Sequence, residues 1–142
     1  MDSYRELLSL NDPEVSAALA SEEVRQQQGI ELIPSENYMY PEVLAAALLE
    51  EGLTLVTGGT DNHMMVIDTV ASFGIDGKES EQTLDRIGVA VNKQVIPDDP
   101  RPPLRPSGVR IGTPACTTRG MVEEDMRRIG AWVAGALRHR GR

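Results

Sequence analysis

The sequence predicts an α+β fold: a small antiparallel or mixed sheet of three to four strands packed by helices on one side. Three observations predict it. Two apolar runs, Leu53-Thr54-Leu55-Val56 and His63-Met64-Met65-Val66-Ile67-Asp68-Thr69-Val70, flank a Gly58-Gly59 turn, the pattern of neighbouring antiparallel strands. Two further short β-type runs, Val89-Ala90-Val91-Asn92-Lys93 and Val109-Arg110-Ile111-Gly112, stand on either side of a proline-rich stretch. Segments with helical spacing, bounded by Pro and Gly, lie around them. The chain's 142 residues, 40% hydrophobic and 25% charged, suit one globular domain and exclude a large multi-domain enzyme.

The elements follow in order. Asn11-Asp12-Pro13-Glu14 opens a helix with a capping side chain, a first-turn Pro and an acid near the positive end of the dipole. This helix is expected to run to Gln28, stop at Gly29, and lay a narrow face of Val15, Leu19 and Val24 along a surface. Ile30-Glu31-Leu32-Ile33-Pro34 is a short extended piece ended by Pro. Pro41 opens a second helix, Glu42 to Glu51, closed by Gly52. After the two strands around Gly58-Gly59, Gly77 leads into a helix from Lys78 to Ile87, with Leu84 and Ile87 facing inward. Val89–Lys93 is the third strand. Five prolines between residues 97 and 108 make that segment a loop, and Val109–Gly112 is the fourth strand. Thr117-Thr118-Arg119-Gly120 reads as a turn. A last helix, Met121 to His139, carries Met126, Ile129, Trp132, Val133 and Leu137 at helical spacing.

Charge is unevenly spread. Residues 1–71 carry 13 Asp/Glu against 2 Arg, whereas residues 72–142 carry 9 Asp/Glu against 12 Lys/Arg. A net charge of −8 with an acidic front half argues against nucleic acid as a partner. The closing Arg138-His139-Arg140-Gly141-Arg142 reads as a solvated basic tail. No apolar run is long enough to span a membrane, and no secretory leader is evident. A lone cysteine, Cys116, has no internal disulfide partner, so a cytoplasmic location is expected.

Chemistry-bearing residues are few. Gly58-Gly59-Thr60 is too short for a phosphate-cradling loop. His63 and His139 are the only histidines and no cysteine pair supports them, so no metal is expected. Cys116 is a possible reactive thiol, with Arg110 and Arg119 near it in sequence, or else a structural core thiol. Lys78 and Lys93 are the only lysines. A Schiff-base lysine needs a desolvated pocket, and the polar helix start around Lys78 does not supply one. Arg110 is the most suggestive polar group, set between Val109 and Ile111. An arginine in such a strand needs an acidic partner, which is either a ligand carboxylate or an internal acid from the front half. Ser35-Glu36-Asn37-Tyr38 reads either as a ligand-touching cluster or as a turn before Pro41.

The motifs together resemble serine hydroxymethyltransferase, the family that uses pyridoxal phosphate and folate to interconvert serine and glycine. The matching stretches are Arg25-Gln26, Ile30-Glu31-Leu32-Ile33-Pro34-Ser35-Glu36-Asn37-Tyr38, Gly58-Gly59-Thr60-Asp61-Asn62-His63, and Asp76-Gly77-Lys78-Glu79. Val91-Asn92-Lys93, Ile96-Pro97, Ser107-Gly108-Val109-Arg110-Ile111-Gly112-Thr113-Pro114-Ala115 and Thr118-Arg119-Gly120 complete the set. The resemblance implies an N-terminal segment over residues 1–51. Over 52–142 it implies a domain like the small domain of fold-type I pyridoxal-phosphate enzymes.

In the family a large domain lies between these parts. It carries the cofactor lysine, the aspartate on the pyridine nitrogen, the ring-stacking histidine, and the Tyr and Glu that transfer protons. No residue here corresponds to them. The resemblance therefore implies no autonomously bound cofactor, with pyridoxal phosphate only if a partner supplies the missing domain. It also implies that Arg110 and Ser35 contact a substrate carboxylate. Gln94 stands where the family has an Asn that touches the folate pterin, a departure that weakens any folate claim. Asp61-Asn62-His63 corresponds to a structural signature at a strand start, and Lys93 to the family's Asn-Lys pair, not to the Schiff-base lysine.

The implied function is a truncated, non-catalytic protein that self-associates, joins a related chain, or binds a small carboxylate. The alternatives are a subunit of a split transferase, or a cofactor-independent enzyme acting on an amino or keto acid around Arg110, Ser35 and Cys116. A product of deletion with no selected role is a third possibility. An apolar patch exposed by the missing domain is expected to mark a partner surface.

Overall fold

The computed structural model describes residues 13–28, 30–31 and 41–140. Helix α1 (Pro13–Gln28) leads to strand β1 (Ile30–Glu31) and helix α2 (Pro41–Glu50). Strand β2 (Thr54–Leu55) passes through a 3-10 turn, Val56–Gly58, into strand β3 (Met64–Asp68). Helices α3 (Thr69–Phe73) and α4 (Gly77–Asp85) follow, then strands β4 (Val89–Ala90) and β5 (Asn92–Gln94). Strand β6 (Gly108–Gly112), helix α5 (Pro114–Thr118) and helix α6 (Glu123–Arg138) complete the described chain.

The predicted α+β class is what forms. Four strands in the order β2-β3-β6-β5 make an antiparallel sheet, and β1 pairs in parallel with β4 in a separate two-stranded ladder. One face of the four-stranded sheet carries Leu55, Met65, Ile67, Val109 and Ile111, all buried. Leu44 and Leu48 of α2, Leu84 of α4, and Ile129, Val133 and Leu137 of α6 cover that face in a single helical layer. Where α6 crosses α2, a Cβ on Gly130 would stand 2.9 Å from Ala47 Cβ, so a hydrogen at this position is what lets the helices close up.

Several elements differ from the sequence reading, each for a local reason. The strand expected to reach Val70 stops at Asp68, whose Oδ1 accepts a hydrogen bond from Ala71 N (2.8 Å) and caps α3 instead. The third strand divides, Val89–Ala90 joining β1 and Asn92–Gln94 joining β6. Thr117-Thr118 is helical, because Pro114 starts α5 in its first turn and Gly120, at φ 79°, ends the segment. Ile87 lies beyond the last turn of α4 and is 48% exposed rather than buried. Trp132 precedes Val133 by one residue, which turns it about 100° off the buried stripe; it is 53% exposed. Val15 and Val24 of α1 are also exposed.

The basic tail is partly engaged. Arg138 Nη2 donates to the Glu51 carbonyl (2.7 Å) and its guanidinium stacks over Phe73, while Arg140 Nε pairs with Glu79 (3.2 Å).

A polar knot fixes where β6 begins. Gly77 N donates to Pro106 O (2.7 Å), and a Cβ on Gly77 would lie 2.1 Å from Gly108 O. No other residue type permits that approach. Ser107 O accepts from Thr69 N (3.0 Å) and from the buried Thr69 hydroxyl (3.0 Å). Asp76 caps α4 through Glu79 N (2.9 Å) and holds Arg105 Nε (2.8 Å). Burial pushes its pKa up. The Glu79 N–H and the bond and charge of Arg105 outweigh that and leave it below the ordinary value. Asp99 ties the proline-rich loop, accepting from Ser107 N (2.9 Å), Ser107 Oγ (2.7 Å), Arg101 N (3.0 Å) and Ile96 N (3.3 Å). These bonds, the Ser107 N–H foremost, hold the Asp99 pKa down at about 2 against the opposing effect of burial.

Two predictions follow from this packing. Gly77→Ala is expected to lower unfolding free energy by about 3 kcal/mol in denaturant titration, because the new methyl meets backbone that cannot yield. Gly135→Ala, in α6 with nothing within 4 Å of the added Cβ, is expected to raise it by up to about 1 kcal/mol. For Asp99, a folded pKa below the unfolded one means its contribution is complete above the unfolded value of about 3.9. That contribution is lost as pH falls toward about 2. Carboxyl-carbon NMR titration is expected to place the Asp99 midpoint at about 2; an ordinary midpoint, shared with exposed aspartates, would refute the knot.

Candidate functional site

Strand β6 occupies the interior of the sheet, between β3 and β5. The alternation of a β-strand sends Val109 and Ile111 to the helix-covered face and Arg110 to the other. Register places Arg110 opposite Val66 of β3 and opposite Asn92 of β5. Gln94, paired with Gly108, lies on the same face one pleat repeat along. Val66, Arg110, Asn92 and Gln94 are all half-buried there.

Arg110 is electrostatically unmatched among the described residues. Its Nε is buried and has no hydrogen-bond partner, and no described carboxylate forms an ion pair with its guanidinium. The internal acid left open by the sequence is therefore not supplied from the described part of the front half. Asn92 Oδ1 is in the same condition, buried and without a partner. The other polar side chains in this region are engaged. Gln94 Nε2 donates to Val95 O (3.1 Å), and Lys93, turned to the opposite face, reaches Glu81 of α4 through both Nζ (3.3 Å) and its backbone N (3.0 Å).

The remaining candidates are placed as follows. Ser35 and the Ser35–Tyr38 cluster lie outside the described residues. Cys116 is 1% exposed and belongs to the hydrophobic core cluster, whereas Arg110 faces away from that core. Asn62 Oδ1 accepts from Met64 N (2.8 Å) and starts β3, the structural part expected of Asp61-Asn62-His63. Among the described residues no group of three or more His, Cys, Asp or Glu is placed to hold a metal ion. No described helix is long and apolar enough to cross a membrane. Asn92 is the polar residue that the sequence reading missed as a site candidate. Its orphaned oxygen and its place opposite Arg110 come from strand register, which local sequence does not encode.

Pyridoxal phosphate, which the resemblance assigns to the family's large domain, finds no fit at the two lysines of this chain. Schiff-base chemistry needs a neutral amine in a desolvated pocket. Lys78 is exposed on the first turn of α4, and Lys93 is ion-paired with Glu81 at 37% side-chain exposure. No step through pyridoxal phosphate is derived from either.

On the far side of the molecule, Ile87, Val89, Ala131, Trp132, Gly135 and Ala136 line an apolar groove of about 560 Å³.

The family model described as serine hydroxymethyltransferase matches residues 41–133. Among curated relatives, the serine hydroxymethyltransferase of Koribacter versatilis is 54% identical over 99 residues, covering 70% of this chain and 23% of that protein. The one from Acidobacterium capsulatum is 55% identical over 97 residues, covering 68% and 22%. The one from Rhodopirellula baltica is 53% identical over 96 residues, covering 68% and 23%. The match to each of these relatives thus spans less than a quarter of the relative's length.

Proposed function

The chain belongs to the serine hydroxymethyltransferase family, and on that footing we propose that it is a small-domain member that binds a small carboxylate at Arg110 without running pyridoxal-phosphate catalysis alone. The observation that carries this reading is the unmatched guanidinium on an interior strand. A half-buried arginine that no acid among the described residues meets is costly unless something anionic reaches it. The planar fork suits a carboxylate better than a point charge does. The relatives are serine hydroxymethyltransferases, so serine, with glycine as the smallest amino acid, is the first ligand to try. Ser35 is a second contact by resemblance. The two engaged or exposed lysines support a chain that binds no cofactor by itself. The one cysteine, buried, suits a cytoplasmic setting.

A second reading is favoured by coverage. A chain that matches less than a quarter of each relative could complete a split transferase, with another chain supplying the large domain. Exposed Trp132 and Ile87 beside the apolar groove also support association, with itself or with such a chain.

Calorimetric titration with glycine and with serine is expected to give saturable binding. Arg110→Lys is expected to weaken it at least tenfold, with an unchanged thermal midpoint, because a bidentate charge-assisted contact is lost. No binding to the unaltered chain, or equal binding by the variant, would refute the carboxylate reading. Added pyridoxal phosphate is expected to give no new visible absorbance band. Its appearance only on mixing with a family large domain would favour the split transferase.

A further inference from the structure

Trp132 is the chain's one tryptophan, and it stands 53% exposed in the middle of α6. It separates two hollows. Toward the start of the helix it borders one of about 290 Å³, with Met121, Arg128 and Ile129. Toward the end it borders the apolar groove of about 560 Å³, shared with Ile87, Ala131, Gly135 and Ala136. Ile87 is itself 48% exposed, and a Cβ on Gly135 would meet nothing within 4 Å. An aromatic ridge beside a groove lined by small residues is self-complementary, because one copy carries both halves of the joint. Such a patch can meet itself across a two-fold axis, and the contact then closes.

Charge points the same way. The first turn of α6 holds Glu123, Glu124 and Asp125, its last turn holds Arg138, and Arg140 follows just beyond. Two copies of α6 laid antiparallel bring the acidic end of each beside the basic end of the other, with their dipoles opposed. A parallel pair would set like charges together. The ion pairs that Glu123 and Glu124 make within the helix are 3.7–3.9 Å long and exposed on both sides, so exchanging them costs little.

We propose that α6 is a homodimer face: two copies of this chain pack antiparallel about a two-fold axis, with Trp132 of each seated over Gly135 in the groove of the other. This rests on the association reading above and commits it to a second copy. A surface made for an unlike partner needs neither the matched ridge and groove nor the two opposite charged ends. Sixteen residues make α6 about 24 Å long. A contact confined to that length and to the turn around Ile87 lies at the small end of specific interfaces, so the expected dissociation constant is about 1–100 μM.

Sedimentation equilibrium of the full chain, read together with its tryptophan emission, tests this. With rising concentration the mass is expected to go from one chain to two. Emission is expected to shift to the blue over the same range and to become harder to quench with acrylamide, since no other tryptophan contributes. Ile87→Glu puts a charge into the groove and keeps the tryptophan, and Gly135→Leu fills the groove. Each is expected to weaken the dimer at least about tenfold, with the thermal midpoint of the dilute chain retained. Should either fail to fold, Trp132→Arg, at a half-exposed position, carries the comparison by mass alone. A single-chain mass at every concentration overturns the proposal together with the self-association part of the reading it rests on. A dimer whose emission does not move, or that the variants keep, puts association on another face and overturns the proposal alone. Blue emission from a monomer at every dilution assigns the groove to another part of the same chain, which also overturns it. A monomer that shifts to the blue only with an added family large domain makes that domain the occupant, refuting the homodimer while upholding the split transferase.

Discussion

The contact between Gly77 and the carbonyl of Gly108 sets the position of nearly everything else in the sheet and its helices. Helix α4 begins against the first residue of β6 with only a hydrogen between them, and the space for a side chain does not exist. Around this point Pro106 O, Ser107 and Asp99 collect hydrogen bonds from three separate parts of the chain. Ser107 alone bonds to the proline-rich loop through its N–H and hydroxyl and to α3 through its carbonyl. The start of β6 is therefore held from both sides of the strand. A one-residue slip there would turn Arg110 into the core and Val109 or Ile111 out of it. Precision at Arg110 derives from backbone geometry two and more residues upstream.

Much of this architecture is legible in the sequence. Pro13, Pro41 and Gly52 mark helix ends by their own stereochemistry, and the structure places those ends within a residue or so. The apolar runs around Gly58-Gly59 pair antiparallel as expected. What was not legible shares a cause. The helical turn after Asp68 depends on one carboxylate folding back on Ala71, in competition with a β-rich run that says strand. The division of Val89–Lys93 depends on which partner strand reaches each half, a tertiary matter. Trp132 shows the limit of spacing arguments, since a residue beside a buried stripe differs from one within it by a single helical step.

The candidate site was legible in the same partial way. Arg110 stands out in any reading because charge among Val, Ile and Gly is incongruous. Asn92 does not stand out, because an asparagine near a strand end is ordinary and its significance lies in what it faces. The uneven charge of the two halves has a modest structural outcome. Glu51 of the acidic half meets Arg138 of the basic one, near the surface where such a pair contributes little. The charge that matters is the one left over in the sheet.

The strand order has a consequence for how the unit comes into being. The sixth strand to be made is an interior one, and β3 and β5 lie on its two sides. Until residues 108–112 have been synthesised and released, those two strands have no bridge, and each shows an open edge. The same delay applies at the other end, where residues 30–31 wait for residues 89–90. Contacts of such long sequence separation make for slow, late and concerted assembly. A nascent chain of this kind is thus at greatest risk of sticking to others just before its arginine-bearing strand slots into place.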